Sequence, residues 1–225
     1  MKKYFRHIGI IVWKDILLEF RTKETLISMF MLAVLILIIF IFSIHLGKIK
    51  ALDVAPGVLW IAIIFAGTIG LNRSFLNEKE NDCLLGMMST PIDRTAIYFG
   101  KMISNFFFMA IMEIFIFPVF IVFFNLPVQN FPGILLITFL GTLGFTACGT
   151  LLSTMSVASV KLRYMLPVLL YPLILPVVIA AVHSTGALLY GKQLSDIAQW
   201  LKLLISFDII FMTASFLVFE YTLEG

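Results

Sequence analysis

The sequence predicts an all-α membrane protein with six transmembrane helices. Three observations carry this: more apolar surface than a water-soluble fold can hide, a series of long runs almost free of charge, and an uneven sharing of basic residues between the connections. Hydrophobic residues make up 61% of the chain and charged residues 13%, whereas a soluble domain carries about 25% charged residues. Mean hydropathy is +1.06. A small globule buries only about 70% of the surface its unfolded chain exposes, so the rest of this chain would form a large greasy exterior in water. Lipid is the solvent that fits.

The first apolar run, 26–46, contains no Asp, Glu, Lys or Arg. At about 1.5 Å per helical residue it matches a hydrocarbon core of about 30 Å. A signal peptide would have a shorter apolar core and a small-residue cleavage site. His45-Leu46-Gly47-Lys48 offers neither, so the segment is expected to be retained. Further runs fall at 54–71, 103–124, 134–154, 165–182 and 203–219. The second and sixth are short and the sixth contains Asp208, which leaves a five-span reading as the alternative.

Basic residues test the assignment. Lys2, Lys3, Arg6, Lys14, Arg21 and Lys23 precede the first span, Arg73, Lys79, Arg94 and Lys101 lie between the second and third, and Lys161 and Arg163 between the fourth and fifth. The other side has only Lys48, Lys50, Lys192 and Lys202. Twelve against four places both termini in the cytoplasm by the positive-inside rule. The net charge of +3 reflects this asymmetry, and nothing points to nucleic acid. Cys83, in the second cytoplasmic stretch, and Cys148, within the fourth span, form neither a disulfide framework nor a CxxC pair.

Two polar segments are long enough for structure of their own. In 1–25 a helical wheel puts Phe5, Ile8, Val12, Ile16 and Phe20 on one arc, with Lys3, His7, Lys14 and Arg21 roughly opposite. This reads as an interfacial helix with its apolar arc among acyl chains and its basic face on anionic headgroups. Asp15 and Glu19 interrupt the pattern beside Ile8 and Val12. Either the helix is a simple amphipathic anchor, or these carboxylates face a cytoplasmic partner. The second segment, 72–101, divides at Pro91. Before it Arg73, Glu78, Lys79, Glu80 and Asp82 mix with Phe75, Leu84, Leu85, Met87 and Met88, as on surface helices, and after it Asp93 is placed to cap a helix leading into the third span. An elbow of this length is more often functional than idle.

No G-x-x-x-x-G-K-[ST] phosphate loop is present, since Gly100-Lys101-Met102 lacks the upstream glycine and the hydroxyl residue. No G-x-S-x-G elbow, H-E-x-x-H motif or intramembrane cluster of Asp and His appears either. The chain reads as non-catalytic. The one deeply placed charge is Glu113, mid-way along the third span. An acidic group there costs about 2.5 to 3.5 kcal/mol, which fifteen Ile, Val and Phe in the same span offset with roughly 7. Glu113 should therefore avoid lipid, as a neutral glutamate bonded between helices or as part of a polar pathway or subunit contact. His45 and His183 sit near the outer ends of their spans. Two histidines at one depth suggest haem ligation, and the plainer reading is interfacial side chains whose polar tips reach water. Pro172 and Pro176 free the carbonyls of Val168 and Pro172, so a kink is expected in the fifth span. Gly141, Gly144, Cys148 and Gly149 give the fourth span small-residue faces for close helix approach.

Three stretches together resemble the CcmB family, the permease subunit of the transporter-like complex of cytochrome c maturation. They are Ala55-Pro56-Gly57-Val58-Leu59-Trp60, then Arg73-x-Phe75 through Leu84 to Pro91, and Tyr171-Pro172-Leu173-Ile174-Leu175-Pro176. Where the family pattern has a glutamate before the elbow arginine and a glycine further on, this chain carries Asn72 and Asp82. The resemblance covers essentially the whole chain, as one permease domain over 1–225. It implies a fold like the permeases of ABC-2 type exporters, with 1–25 as the amphipathic helix and 72–101 as the coupling elbow. Arg73, Phe75, Glu78, Leu84, Met88 and Pro91 would then meet an ATPase. The resemblance also implies partners: the ATPase CcmA, where ATP would bind, CcmC with CcmD, and the haem chaperone CcmE. Haem would be handled by the complex, in a bacterial inner membrane, with no cofactor assigned to this chain. Composition alone stops at an ABC-type permease or another six-span transporter. A permease for drugs, lipids or polysaccharide, and an assembly subunit without a transport cycle, are the other classes open to it.

Overall fold

The computed structural model describes residues 2–46, 50–80, 94–126, 130–157 and 160–222. Among the described residues seven α-helices follow one another: α1 (Lys2–Thr22), α2 (Glu24–Leu46), α3 (Ala51–Glu80), α4 (Arg94–Phe124), α5 (Phe131–Val157), α6 (Val160–Leu189) and α7 (Ala198–Thr222), the last entered through a short 3-10 turn, Leu194–Ile197. Six stretches of the described residues are long and apolar enough to cross a membrane: Glu24–Ile44, Ala51–Ser74, Thr95–Phe124, Phe131–Ser153, Pro167–Leu189 and Leu194–Leu217. The fold is an all-α membrane bundle.

The helices outrun the apolar stretches that announced them. The second and sixth, short as hydropathy runs, are each 24 residues long in the structure, so length gives no ground for a five-span reading. A backbone in hydrocarbon must bond to itself, so a helix continues past its apolar run until water or another chain segment can take over its N–H and C=O groups. The third span begins at Thr95, eight residues before the expected 103. The reason is tertiary: Tyr98 and Lys101, which fell in the polar elbow by the sequence reading, are buried against neighbouring helices.

The breaks have local causes. Lys23 adopts a positive φ of 57°, a conformation uncommon for any residue but glycine, and so turns the chain from α1 into α2. Asn125 (φ 47°) ends α4 in the same way, with a residue type that tolerates that region. Gly191 (φ 79°) closes α6, and Lys192 N donates back to Ala187 O at 3.0 Å, which satisfies a carbonyl the helix end would otherwise orphan.

Within the bundle α3 and α5 are the most enclosed helices, while α2 and α7 lie at the periphery. Small residues on α5 allow this. Gly141 lies directly under the Trp60 ring and Gly149 under Leu71, positions where a Cβ would collide with α3. The Trp60 indole N–H, held at that crossing, donates to Thr185 Oγ1 of α6 at 3.1 Å. The outward faces of α2 carry Met31, Leu35, Ile39 and Phe42, all exposed and suited to acyl chains. The apolar packing falls into two clusters. A large one fills the bundle, and a separate small one of Ile11, Ile97, Tyr98, Met102 and Ala147 joins α1, α4 and α5 at one end.

Candidate functional site

That small cluster surrounds the most unusual electrostatic feature of the chain. On α1, Ile11, Asp15 and Glu19 recur at every fourth residue and form the buried stripe. Asp15 is 6% exposed and Lys101 of α4 is 1% exposed, and Lys101 Nζ lies 2.8 Å from Asp15 Oδ2. Lys14 adds a second contact to Asp15 Oδ1 at 3.2 Å. Glu19 Oε1 accepts from Leu26 N at 2.8 Å, which caps an open donor at the start of α2 and fixes the bend at Lys23. Tyr4 OH donates to Thr95 Oγ1 at 3.2 Å. A Cβ on Gly100 would meet Ile11 at 2.8 Å, so glycine is what lets α1 lie this close to α4.

This corrects two readings of the sequence. The carboxylates that interrupt the amphipathic pattern of α1 face neither lipid nor an outside partner: Asp15 and Glu19 turn into the chain's own bundle. The apolar arc centred on Val12 is accordingly flanking rather than central, with Phe5 and Phe20 exposed and Ile8, Val12 and Ile16 half-buried. Lys101, counted among loop cations, is an interior residue. The signal was the spacing of four shared by Ile11, Asp15 and Glu19, and by Lys101, Asn105, Met109 and Glu113 on α4. Spacing shows that such residues share a face, and only the partner helix shows which way it looks.

The α4 stripe continues inward as a polar seam against α5. Asn105 Nδ2 donates to Thr150 Oγ1 at 3.2 Å, and Thr142 Oγ1 donates to Glu113 Oε1 at 2.5 Å. Thr138, Thr142, Thr146 and Thr150, again four apart, supply that side, with Thr138 and Thr146 hydroxyls donating to carbonyls of their own helix. Glu113 is 6% exposed and Asp208 of α7 is 4% exposed. Asp208 Oδ1 stands 2.5 Å from where a Cβ on Gly144 would be, and neither of its oxygens finds a hydrogen-bond partner among the described residues.

Of the expected ATPase contacts, Arg73 ends up near α2, its guanidinium 3.4 Å from Glu24 Oε2. The side chains of Phe75 and Glu78 lie outside what the structure describes, although their backbone continues α3, and Leu84, Met88, Pro91 and Cys83 lie outside the described residues altogether. Helix α6 runs without a break through Pro167, Pro172 and Pro176.

At the opposite end of the bundle Asp53, Pro56, His183, Tyr190, Lys192 and Trp200 line a cavity of about 630 Å³. His183 stacks on Trp200 with ring centroids 4.8 Å apart and planes within 4°; the side chain of His45 lies outside the described residues. Tyr190 OH donates to Asp53 Oδ1. That bond to a carboxylate, with lesser help from burial and the Asp53 charge, raises the Tyr190 phenol above its ordinary range.

Among the described residues, a bundle of six apolar helices, with an N-terminal helix joined to it by a buried ion pair, defines a multi-pass membrane protein. The model of the family described as CcmB protein matches residues 6–224, and the chain belongs to that family. It is 24% identical over 147 residues to the Heme exporter protein B of Pseudomonas aeruginosa, covering 65% of this chain and 66% of that protein. It is 27% identical over 133 residues to the Heme exporter protein B of Rhodobacter capsulatus, covering 59% and 61%. The matched region therefore spans less than two thirds of either relative's length.

Proposed function

We propose that this chain is the permease subunit of an ABC transporter-type complex in cytochrome c maturation. In this reading it couples ATP hydrolysis on a separate ATPase chain to haem delivery or to release of the haem-loaded chaperone. The observation that carries the proposal is the family match across nearly the whole chain, joined to relatives whose name is Heme exporter protein B. The lack of a phosphate loop supports placing ATP on a partner. The partners are the ATPase CcmA, CcmC with CcmD, and the chaperone CcmE. Haem is the cargo of the complex, and this chain carries no cofactor of its own. The excess of basic residues on one side supports a bacterial inner membrane with both termini cytoplasmic.

In this reading the coupling runs from the elbow into α4. Residues 73–91 would dock on the ATPase through Phe75, Leu84 and Met88, with Arg73 and Glu78 in the hydrated rim and Pro91 setting the bend. α4 starts at Arg94, and Lys101 lies about two helical turns further on. A push on the elbow would reach Lys101 along a rigid helix and carry α1 with it through Asp15. Glu113 would then sit on the same helix, and Pro172 and Pro176 would supply the bend in α6 along which the bundle yields.

The test is co-purification of the ATPase subunit with variants in detergent. An apolar anchor often contributes 2 kcal/mol or more to docking, so Phe75→Ala or Leu84→Ala should weaken retention by roughly 30-fold, with Lys79→Ala nearly silent. Full retention of the ATPase together with normal cytochrome c maturation would remove the coupling role from this segment.

A further inference from the structure

In the half of the bundle away from α1, the flank between α4 and α5 opens into a cleft of about 630 Å³, a size typical of a small-molecule site. Its walls are aromatic and aliphatic, and Phe106 and Phe139 meet edge to face across them with centroids 5.2 Å apart. Glu113 is the only ionisable residue of the lining. Thr142, which is not in the lining, holds Oε1 from the protein side, and no hydrogen bond from the described residues reaches Oε2. Pro118 lies one helical turn beyond Ile114 and both line the cleft. Since proline has no N–H to give, the Ile114 carbonyl lacks its helix donor. The hydroxyl of Thr138, the other polar side chain of the lining, already donates to Ile134 O at 2.9 Å.

The cleft thus presents acceptors, aromatic faces and one acid, with no basic side chain in its lining. We propose that it is a binding site for a hydrophobic aromatic cation. Ring faces attract cations through their quadrupole, and an intramembrane carboxylate without a counter-ion among the described residues is matched by one. An acyl chain would fit the walls and leave Glu113 unmatched, and an organic anion would meet no basic group in the lining. A cation entering while Glu113 carries a proton must displace it, so one proton leaves for each ion bound. No other titratable side chain lines the cleft from α4 or α5. The site stands independently of the cytochrome c reading.

Equilibrium binding of tetraphenylphosphonium to the purified full chain in lipid nanodiscs tests this, with tetraphenylborate as an anion of the same shape. The expected result is saturable binding of one ion per chain that weakens as pH falls and is not displaced by tetraphenylborate. Glu113→Gln should weaken it by about tenfold or more, whereas Asp208→Asn, at a buried acid outside the cleft, should leave it unchanged. Should the Gln variant lose its monodisperse profile, Phe139→Leu provides a second measure, with affinity lowered about threefold through one lost ring face. Unsaturable uptake, equal displacement by the anion, or unaltered affinity in a well-folded Glu113→Gln chain would overturn the proposal.

Discussion

The two ends of the α4 stripe treat buried charge in opposite ways. At the α1 end Asp15 meets Lys101 at 2.8 Å, both almost wholly buried. Further in, Glu113 receives one hydroxyl hydrogen bond and Asp208 none among the described residues, and neither has an ion pair with a described residue. A buried pair is weak evidence for stability, because desolvation can consume the Coulombic gain. Its value is orientation, since charge and counter-charge fix which face of α1 meets which turn of α4. The inner acids fix nothing comparable. The difference separates a joint held by charge and counter-charge from buried acids that no described cation fixes.

The largest effect should come from breaking the joint on one side only. Lys101→Met removes the buried partner of Asp15 and leaves only the more exposed Lys14, and should cost about 3 kcal/mol, seen as a fall in the denaturation midpoint of the detergent-purified protein. Adding Asp15→Leu in the same chain should recover most of it. A single variant as stable as the parent would show that the pair is not the joint described here. An intermediate effect is expected at Glu113. Glutamine can still accept from Thr142 and should cost about 1 kcal/mol. Lysine cannot accept, and places an unmatched cation at a depth where it costs about 3 kcal/mol, so the yield of monodisperse Glu113→Lys should drop sharply. Normal yield would mean that the side chain reaches water or a headgroup, closing the contrast with Lys101. The smallest effect belongs to the far end. Tyr190→Phe and His183→Ala alter exposed contacts and should leave the midpoint indistinguishable from the parent. If the joined assembly matures cytochrome c, it should do so with both changes, and total loss of holocytochrome at normal protein levels would revive His183 as a haem ligand.

What the sequence determined by itself is the membrane bundle and its six crossings. These depend on the sum of many transfer free energies along each run, and a sum survives errors at single residues. Small residues at Gly141, Gly144 and Gly149 were likewise readable as places of close approach, because a missing side chain means the same whatever lies opposite. Which helix fills each gap, Trp60 and Leu71 of α3 or Asp208 of α7, was not readable. The same limit applied to charge. Asp15, Lys101 and Glu113 were each visible, but hydropathy assigned Lys101 to a loop and left Asp15 without a direction. Pairing depends on two residues 86 positions apart meeting across a helix crossing, and no periodicity along one helix encodes the rotation of another. The tertiary structure decided that rotation, because Gly100 leaves room for Ile11 and brings Asp15 within reach of Lys101, the buried cation that compensates it beside the more exposed Lys14.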